Sequence, residues 1–244
     1  MLAACLLVAL VGFLDDRFTL SVTPRLLAQM SLGVLAGWAT GMPLLGLVGA
    51  VLFPVVVNAI NFMDGINGIT GMVTFAWGTT AAFLGQRAGA HDLRLIGLVT
   101  AGAALGFLPF NAPYARLFLG DVGSYLFGSL CAAGILLGIA RGVPVAPLVA
   151  PLGLYLVDVF WTLARRLRAR ESLTTAHRDH IYQRLVSRGL EHMQVSAIVL
   201  LLSCVITACW VFLPAGSASA CTAAAISTYV LLPPVTKRLV SSRM

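Results

Sequence analysis

The sequence predicts an all-α polytopic membrane protein, a bundle of transmembrane helices. Of its 244 residues, 59% are apolar and only 10% are charged, and the mean hydropathy is +0.94. A soluble domain carries about 25% charged residues, because it needs polar surface to cover its core. The apolar runs are long and unbroken rather than alternating, which disfavours a β-barrel and favours spanning helices.

The apolar residues fall into nine segments. A spanning helix needs about 20 apolar residues, and the first segment is too short to cross alone. The segments are 2–14, 24–40, 43–60, 68–85, 95–110, 124–140, 143–163, 195–213 and 217–235. No repeat or second domain interrupts them, so we interpret residues 1–244 as one membrane domain.

The basic residues predict the orientation of the bundle. The formal net charge is +7, from 16 Lys and Arg against 9 Asp and Glu. If Arg17 is cytoplasmic and each later segment crosses once, 13 basic residues lie on the cytoplasmic side and 3 (Arg87, Arg94 and Arg141) on the other, as the positive-inside rule requires. The charge therefore indicates a membrane protein, and we expect no nucleic-acid partner. The polar stretch 165–194 becomes a cytoplasmic loop.

Acidic residues are costly in so apolar a chain and usually have a function. Asp15, Asp16, Asp64 and Asp121 come from three loops, yet this topology places all of them at cytoplasmic helix ends. Converging carboxylates and amides suit a hard cation such as Mg²⁺, which commonly grips phosphates.

The alternative is that the acids cap helix ends or pair with loop arginines. We favour that interpretation for the isolated Asp92 and Asp158. We do not favour it for Asp15 and Asp16, because two adjacent like charges repel unless a cation or a function holds them.

Three further segments carry candidate ligands, each with a structural alternative. Asn58 and Asn61 are spaced i, i+3, which places both amides on one helix face, although the following Asp-Gly and Asn-Gly steps are also common turns. Asp121 stands between two glycines before a new helix, where it is either a ligand or an N-cap. His177 and His180 have no third zinc ligand, so they suit a sugar or diphosphate, or simply a solvated basic loop.

The four segments together resemble the polyprenyl-phosphate N-acetylhexosamine-1-phosphate transferases, the glycosyltransferase family 4 that includes the phospho-MurNAc-pentapeptide translocase and O-antigen and common-antigen initiating enzymes. The resemblance rests on the motifs 12–17, 58–68, 118–124 and 177–180, which occur in the family's order. It implies that a polyprenyl phosphate such as undecaprenyl phosphate attacks a UDP-N-acetylhexosamine, with release of UMP.

The resemblance also implies roles for individual residues. The Mg²⁺ ligand (or Mn²⁺) falls on Asp121 with Asn61 as helper, and Asp15 and Asp16 match the pair that handles the lipid phosphate. Asp64 joins these acids in the catalytic set. The expected substrate-binding residues are Arg25, Asn58, Asn67, His177, Arg178 and His180. At position 67 most bacterial relatives carry Asp, but Asn also accepts hydrogen bonds.

The resemblance further implies a bacterial cytoplasmic (inner) membrane location, an active site on its cytoplasmic face, contact with membrane lipid, and a homodimer as one expected assembly. Relatives carry about two more helices before the Asp-Asp motif, so the chain is expected to be N-terminally truncated relative to the family. Two other interpretations stay open. One is a non-catalytic member of the family, and the other is a transporter, which would need charges at mid-membrane depth.

Overall fold

The computed structural model describes residues 1–172 and 179–241, with side chains up to Pro234. Within these ranges every regular element is a helix, which confirms the predicted all-α bundle. The helices are α1 (Leu2–Phe18), α2 (Val22–Trp38), α3 (Leu45–Met63), α4 (Ile69–Ala88), α5 (His91–Asn111), α6 (Gly120–Ala140), α7 (Val145–Val149), α8 (Gly153–Arg168), α9 (Ile181–Val186), α10 (His192–Phe212) and α11 (Ala215–Ser241), with a 3₁₀ turn at Ala150–Leu152.

Each of the nine predicted apolar segments overlaps at least one helix, and six helical stretches of the described chain are long and apolar enough to cross a membrane. The six are Leu45–Met63, His91–Asn111, Gly120–Ala140, Val145–Arg168, His192–Phe212 and Ala215–Pro234. The chain is therefore a multi-pass membrane protein.

Two predictions differ from the structure by more than a small displacement of a helix end. The segment predicted at 143–163 is broken at Ala150–Leu152, where Pro147 and Pro151 remove backbone donors from the helical ladder. The predicted loop 165–194 contains the short helix α9, and α8 continues to Arg168.

The centre of the bundle is α6, which packs against α1 and α3. In the membrane-spanning stretch of α6, 78% of the residues are buried inside the protein, whereas in that of α11 only 17% are buried. Small residues allow close helix contacts, as is usual in membranes. A Cβ at Gly12 would overlap the backbone carbonyl of Asp121, and one at Gly33 would overlap that of Gly49. The first contact fixes the end of α1 against the start of α6.

Candidate active site

Asp16 connects the last turn of α1 to the first turn of α6. Its Oδ1 accepts a hydrogen bond from the backbone N–H of Asp121, and its Oδ2 accepts one from that of Val122, both at 3.0 Å. These amides belong to the N-terminus of α6, where the helix dipole favours negative charge. Two of the predicted acids, from loops more than a hundred residues apart, therefore lie side by side at one end of the bundle.

Asp15 is only 6% exposed, and its carboxylate is hydrogen-bonded to other groups of the protein. Its Oδ1 accepts from the backbone N–H of Leu20 at 2.8 Å, and its Oδ2 accepts from the Arg25 guanidinium and from the Tyr125 hydroxyl. The adjacent acids were expected to need a cation or a function to hold them. Arg25 is such a cation for Asp15, and α6 amides hold Asp16, while the predicted catalytic role of the two acids stays a prediction. Arg25 is thus placed on Asp15, and its predicted contact with phosphate remains a prediction.

Asn61 joins the end of α3 to the same point. Its Nδ2 donates to Asp121 Oδ1 at 2.6 Å and to Ser124 Oγ at 3.0 Å. Asn58 bonds elsewhere, with its Nδ2 donating to Gln29 Oε1 and to the Pro54 carbonyl, both at 2.7 Å. The two amides, predicted to share one ligand-binding face, therefore bond to different helices. Asn58 is part of the contact between α2 and α3.

The donor set around Asp121 fits a magnesium ion that is held mainly by substrate. Within residues 1–172 and 179–241 there is no group of three or more His, Cys, Asp or Glu side chains that could hold a metal. Mg²⁺ commonly uses one or two carboxylates, with water and substrate phosphates completing its shell. Asp121 can supply such a carboxylate. Asn61 presents its amide nitrogen to Asp121, so it would have to rotate that amide to become an oxygen ligand.

Asp64 is the cap residue that follows α3, beyond the spanning segment. Burial raises the pKa of Asp64 to about 6, and the negative charge of Asp121 adds to this shift. A carboxyl with a pKa near neutrality can accept and release a proton at physiological pH. Asp64 therefore has the properties of a proton acceptor next to Asp121.

Asn67 holds three parts of the chain together. Its Nδ2 donates to the Pro113 carbonyl at 2.9 Å, its Oδ1 lies 3.2 Å from His192 Nδ1, and its carbonyl accepts from Ser196 Oγ at 2.8 Å. The first turns of α10 thus contact the predicted motif. Nothing in the sequence pattern had singled out His192 or Ser196.

Asp158 is fully buried and organises the start of α9. Its two oxygens face the side chains of His180 (3.0 Å) and Thr162 (3.3 Å), the backbone N–H groups of Ile181 (2.9 Å) and Tyr182 (3.2 Å), and the Tyr229 hydroxyl (2.7 Å). The helix-cap interpretation favoured for Asp158 is thus confirmed, because the carboxylate caps α9. Sequence reasoning missed that it is also a partner of His180.

The same segment also touches α3. The Tyr182 hydroxyl donates to the carbonyl of Phe62 at 3.1 Å, two residues before Asp64. His180, expected to bind substrate, is 3% exposed and faces Asp158. His177 and Arg178 lie outside the described residues. The structure therefore places His180 as a support for the segment, while its predicted contact with sugar or diphosphate remains a prediction.

The candidate residues share one end of the bundle. Contacts at that end join α1 to α6, α3 to α6, the connection between α3 and α4 to α10, and α9 to α3. At the opposite end, Arg141 Nη2 lies 2.6 Å from Asp92 Oδ2, which confirms the ion-pair interpretation of Asp92.

Comparison with known proteins identifies the family of this chain. A sequence profile described as glycosyl transferase family 4 matches residues 1–139, which is more than half of the chain and includes α1, α3 and the start of α6. The chain belongs to glycosyl transferase family 4. The predicted resemblance is thereby confirmed.

Similar proteins of this family come from several bacteria. A Bacillus subtilis protein named as a probable undecaprenyl-phosphate N-acetylglucosaminyl 1-phosphate transferase is 27% identical over 221 residues, which covers 80% of this chain and 60% of that protein. A Mycobacterium leprae decaprenyl-phosphate N-acetylglucosaminephosphotransferase is 29% identical, over 78% of this chain and 58% of the relative. A Symbiobacterium thermophilum phospho-N-acetylmuramoyl-pentapeptide-transferase is 33% identical over 51% of this chain and 46% of the relative. The chain thus spans about 60% of the length of the first of these relatives.

Proposed function

We propose that this protein transfers N-acetylhexosamine-1-phosphate from a UDP-sugar to a polyprenyl phosphate at the cytoplasmic face of a bacterial inner membrane. The observation that carries the proposal is the meeting of Asp16, Asn61 and Asp121 at one end of the bundle. That end is the one on which most basic residues fall, which supports a cytoplasmic position. The relatives named above act on polyprenyl phosphates, and their names support the choice of acceptor.

The reaction is one displacement at phosphorus. A phosphate oxygen of the polyprenyl phosphate forms a bond to the β-phosphorus, the bond from that phosphorus to the bridging oxygen breaks, and UMP leaves with the bridging oxygen. Catalysis of this kind depends on positioning and on stabilising the negative charge of the phosphates. A magnesium ion on Asp121 would supply that charge stabilisation when bound.

Several residues at this end of the bundle have a task in the proposed reaction. Asp16 fixes the first turn of α6 through two backbone amides, and Asn61 orients the Asp121 carboxylate. Asp64, with its pKa near neutrality, accepts the proton of a protonated lipid phosphate. Asn67 holds the loop that would form one wall of the nucleotide site. The proposal also includes a single membrane domain over residues 1–244, a role in O-antigen synthesis and a homodimer. Turnover with a panel of UDP-sugars would identify the sugar.

The test measures UMP release from UDP-N-acetylglucosamine and other UDP-N-acetylhexosamines by membranes that contain the chain, undecaprenyl phosphate and Mg²⁺. We expect UMP release that requires both the lipid and the metal, and loss of at least 100-fold in Asp121→Asn. Asp92→Asn, at the opposite end of the bundle, is the matched control and should keep the parent rate. Turnover by Asp121→Asn at the parent rate would overturn the metal assignment. Binding of UDP-sugar without turnover would instead support the non-catalytic interpretation.

A further inference from the structure

Two cysteines meet in the hairpin formed by α10 and α11. Cys209 Sγ lies 2.8 Å from Cys221 Sγ, with both thiols free in the structure and both side chains half-buried. An S–S bond is about 2.0 Å long, so a small side-chain adjustment brings the atoms to bonding distance. Nothing in the proposed transferase mechanism uses these two cysteines.

A second side-chain contact across the hairpin lies beside the cysteine pair. One position further along each helix, the Trp210 indole N–H donates to Thr222 Oγ1 at 3.0 Å. Both pairs are separated by twelve residues and are bridged by the short connection between Phe212 and Ala215. Two neighbouring contacts across the hairpin therefore join the same stretches of α10 and α11.

The depth of the pair is also favourable. At 1.5 Å per residue, Cys209 lies about 5 Å before the end of α10 and Cys221 about 9 Å after the start of α11. Trp210 lies beside them, and tryptophan is enriched where a membrane meets water. The pair therefore lies between about one and two helical turns from the connection of the hairpin, at that end of the two spans.

The side of the membrane follows from the contacts of α10. Its first turns bond to Asn67 at the candidate active site, and α10 is long enough to span the bilayer. Its last turn and the hairpin connection therefore lie at the opposite face. If the active site is cytoplasmic, as in the function proposed above, the cysteine pair lies on the extracytoplasmic side, where disulfides form and persist.

We propose that Cys209 and Cys221 form a disulfide that ties α10 to α11 at the extracytoplasmic surface, an inference that rests on the proposed orientation of the active site. The two thiols lose two protons and two electrons and form one S–S bond. A protein thiol oxidase of the extracytoplasmic space accepts the electrons and two protons, and its own disulfide becomes a dithiol. Exchange proceeds through a mixed disulfide with the chain.

The test counts reversibly oxidised thiols in the full chain, expressed in bacteria with an intact extracytoplasmic thiol oxidase. Membranes are denatured in detergent with excess N-ethylmaleimide, reduced, and then labelled with a maleimide that adds mass. We expect a shift of two tags for the parent and for Cys204→Ser, the control on the same helix, and of none for Cys209→Ser or Cys221→Ser. Peptide mapping without reductant should recover the fragment pair that joins the two positions.

Two outcomes overturn the proposal, and they differ in what they say about orientation. A membrane-impermeant maleimide is applied to intact spheroplasts of Cys209→Ser, in which Cys221 is a single thiol at the hairpin, with Cys209→Ser/Cys221→Ser as the blank. Labelling of Cys221 from outside, together with no tags on the parent, refutes the disulfide and leaves the orientation intact. Labelling only after lysis places the hairpin in the cytoplasm, which refutes the disulfide and the proposed face of the active site together.

Discussion

Replacing Asp158 with asparagine should strongly destabilise the protein. Asp158 Oδ2 accepts hydrogen bonds from the Tyr182 N–H and the Tyr229 hydroxyl, and Oδ1 accepts from the Ile181 N–H and faces His180. An asparagine keeps one oxygen and replaces the other with an NH₂ group. In either orientation of the amide, at least one buried backbone N–H loses its acceptor.

The magnitude follows from the number of donors affected. A buried donor left without its acceptor costs about 1–3 kcal/mol. The Tyr229 hydroxyl can rotate and accept from the new NH₂, so the loss is confined to one backbone donor and to weakened neighbouring contacts, about 2–4 kcal/mol in total. For a chain of this size each kcal/mol lowers the melting temperature by about 2–4 °C. Asp158→Asn should therefore melt roughly 5–15 °C below the parent.

The assay is thermal unfolding in detergent, followed by tryptophan fluorescence. The matched control is Asp92→Asn, the same chemical change in an ion pair with side chains 34% and 50% exposed. Exposed pairs contribute about 0–1 kcal/mol, so this variant should melt within a few degrees of the parent. Equal melting temperatures for Asp158→Asn and Asp92→Asn would refute the claim that Asp158 organises the segment around α9.

Two further predictions concern the candidate active site. Because burial raises the pKa of Asp64 to about 6 in the folded protein, its contribution to stability is fully present below the unfolded value of about 4 and is lost as pH rises through 6. Melting curves between pH 4 and 7 should show a smaller loss of stability in Asp64→Asn than in the parent, and an equal loss in both would contradict this prediction. Gly12→Ala should push α1 away from the Asp121 carbonyl and reduce both the melting temperature and UMP release. In the control Gly102→Ala the added Cβ meets nothing within 4 Å, so both quantities should stay unchanged. A functional, stable Gly12→Ala would show that the helices can separate without cost.

The fold class and the gathering of acids could be predicted because both depend on patterns along the chain. When each apolar segment crosses the membrane once, successive loops lie on alternate sides of it. This alternation determines which helix ends share a membrane face. The break at Ala150–Leu152 also had a signal in Pro147 and Pro151, although the run was predicted as one helix. These features do not depend on which helices become neighbours.

The partners of individual side chains could not be predicted, because they depend on those neighbours. Asp16 binds backbone amides of α6, which have no signature in the sequence. Asn58 and Asn61 share a spacing but face α2 and α6 respectively. Asp158 looked like an isolated acid, since donors such as Ile181 and Tyr229 are brought to it only by the later return of the chain.

The attachment of Asp16 to α6 has a consequence for how this site tolerates mutation. The two N–H groups that hold its carboxylate belong to the main chain of Asp121 and Val122, and every residue except proline carries such a group. Exchanging the side chain at either position thus leaves the anchor in place. The contact between α1 and α6 can therefore be kept while the side-chain chemistry is removed. An inactive variant at position 121 is expected to retain the packing of these helices.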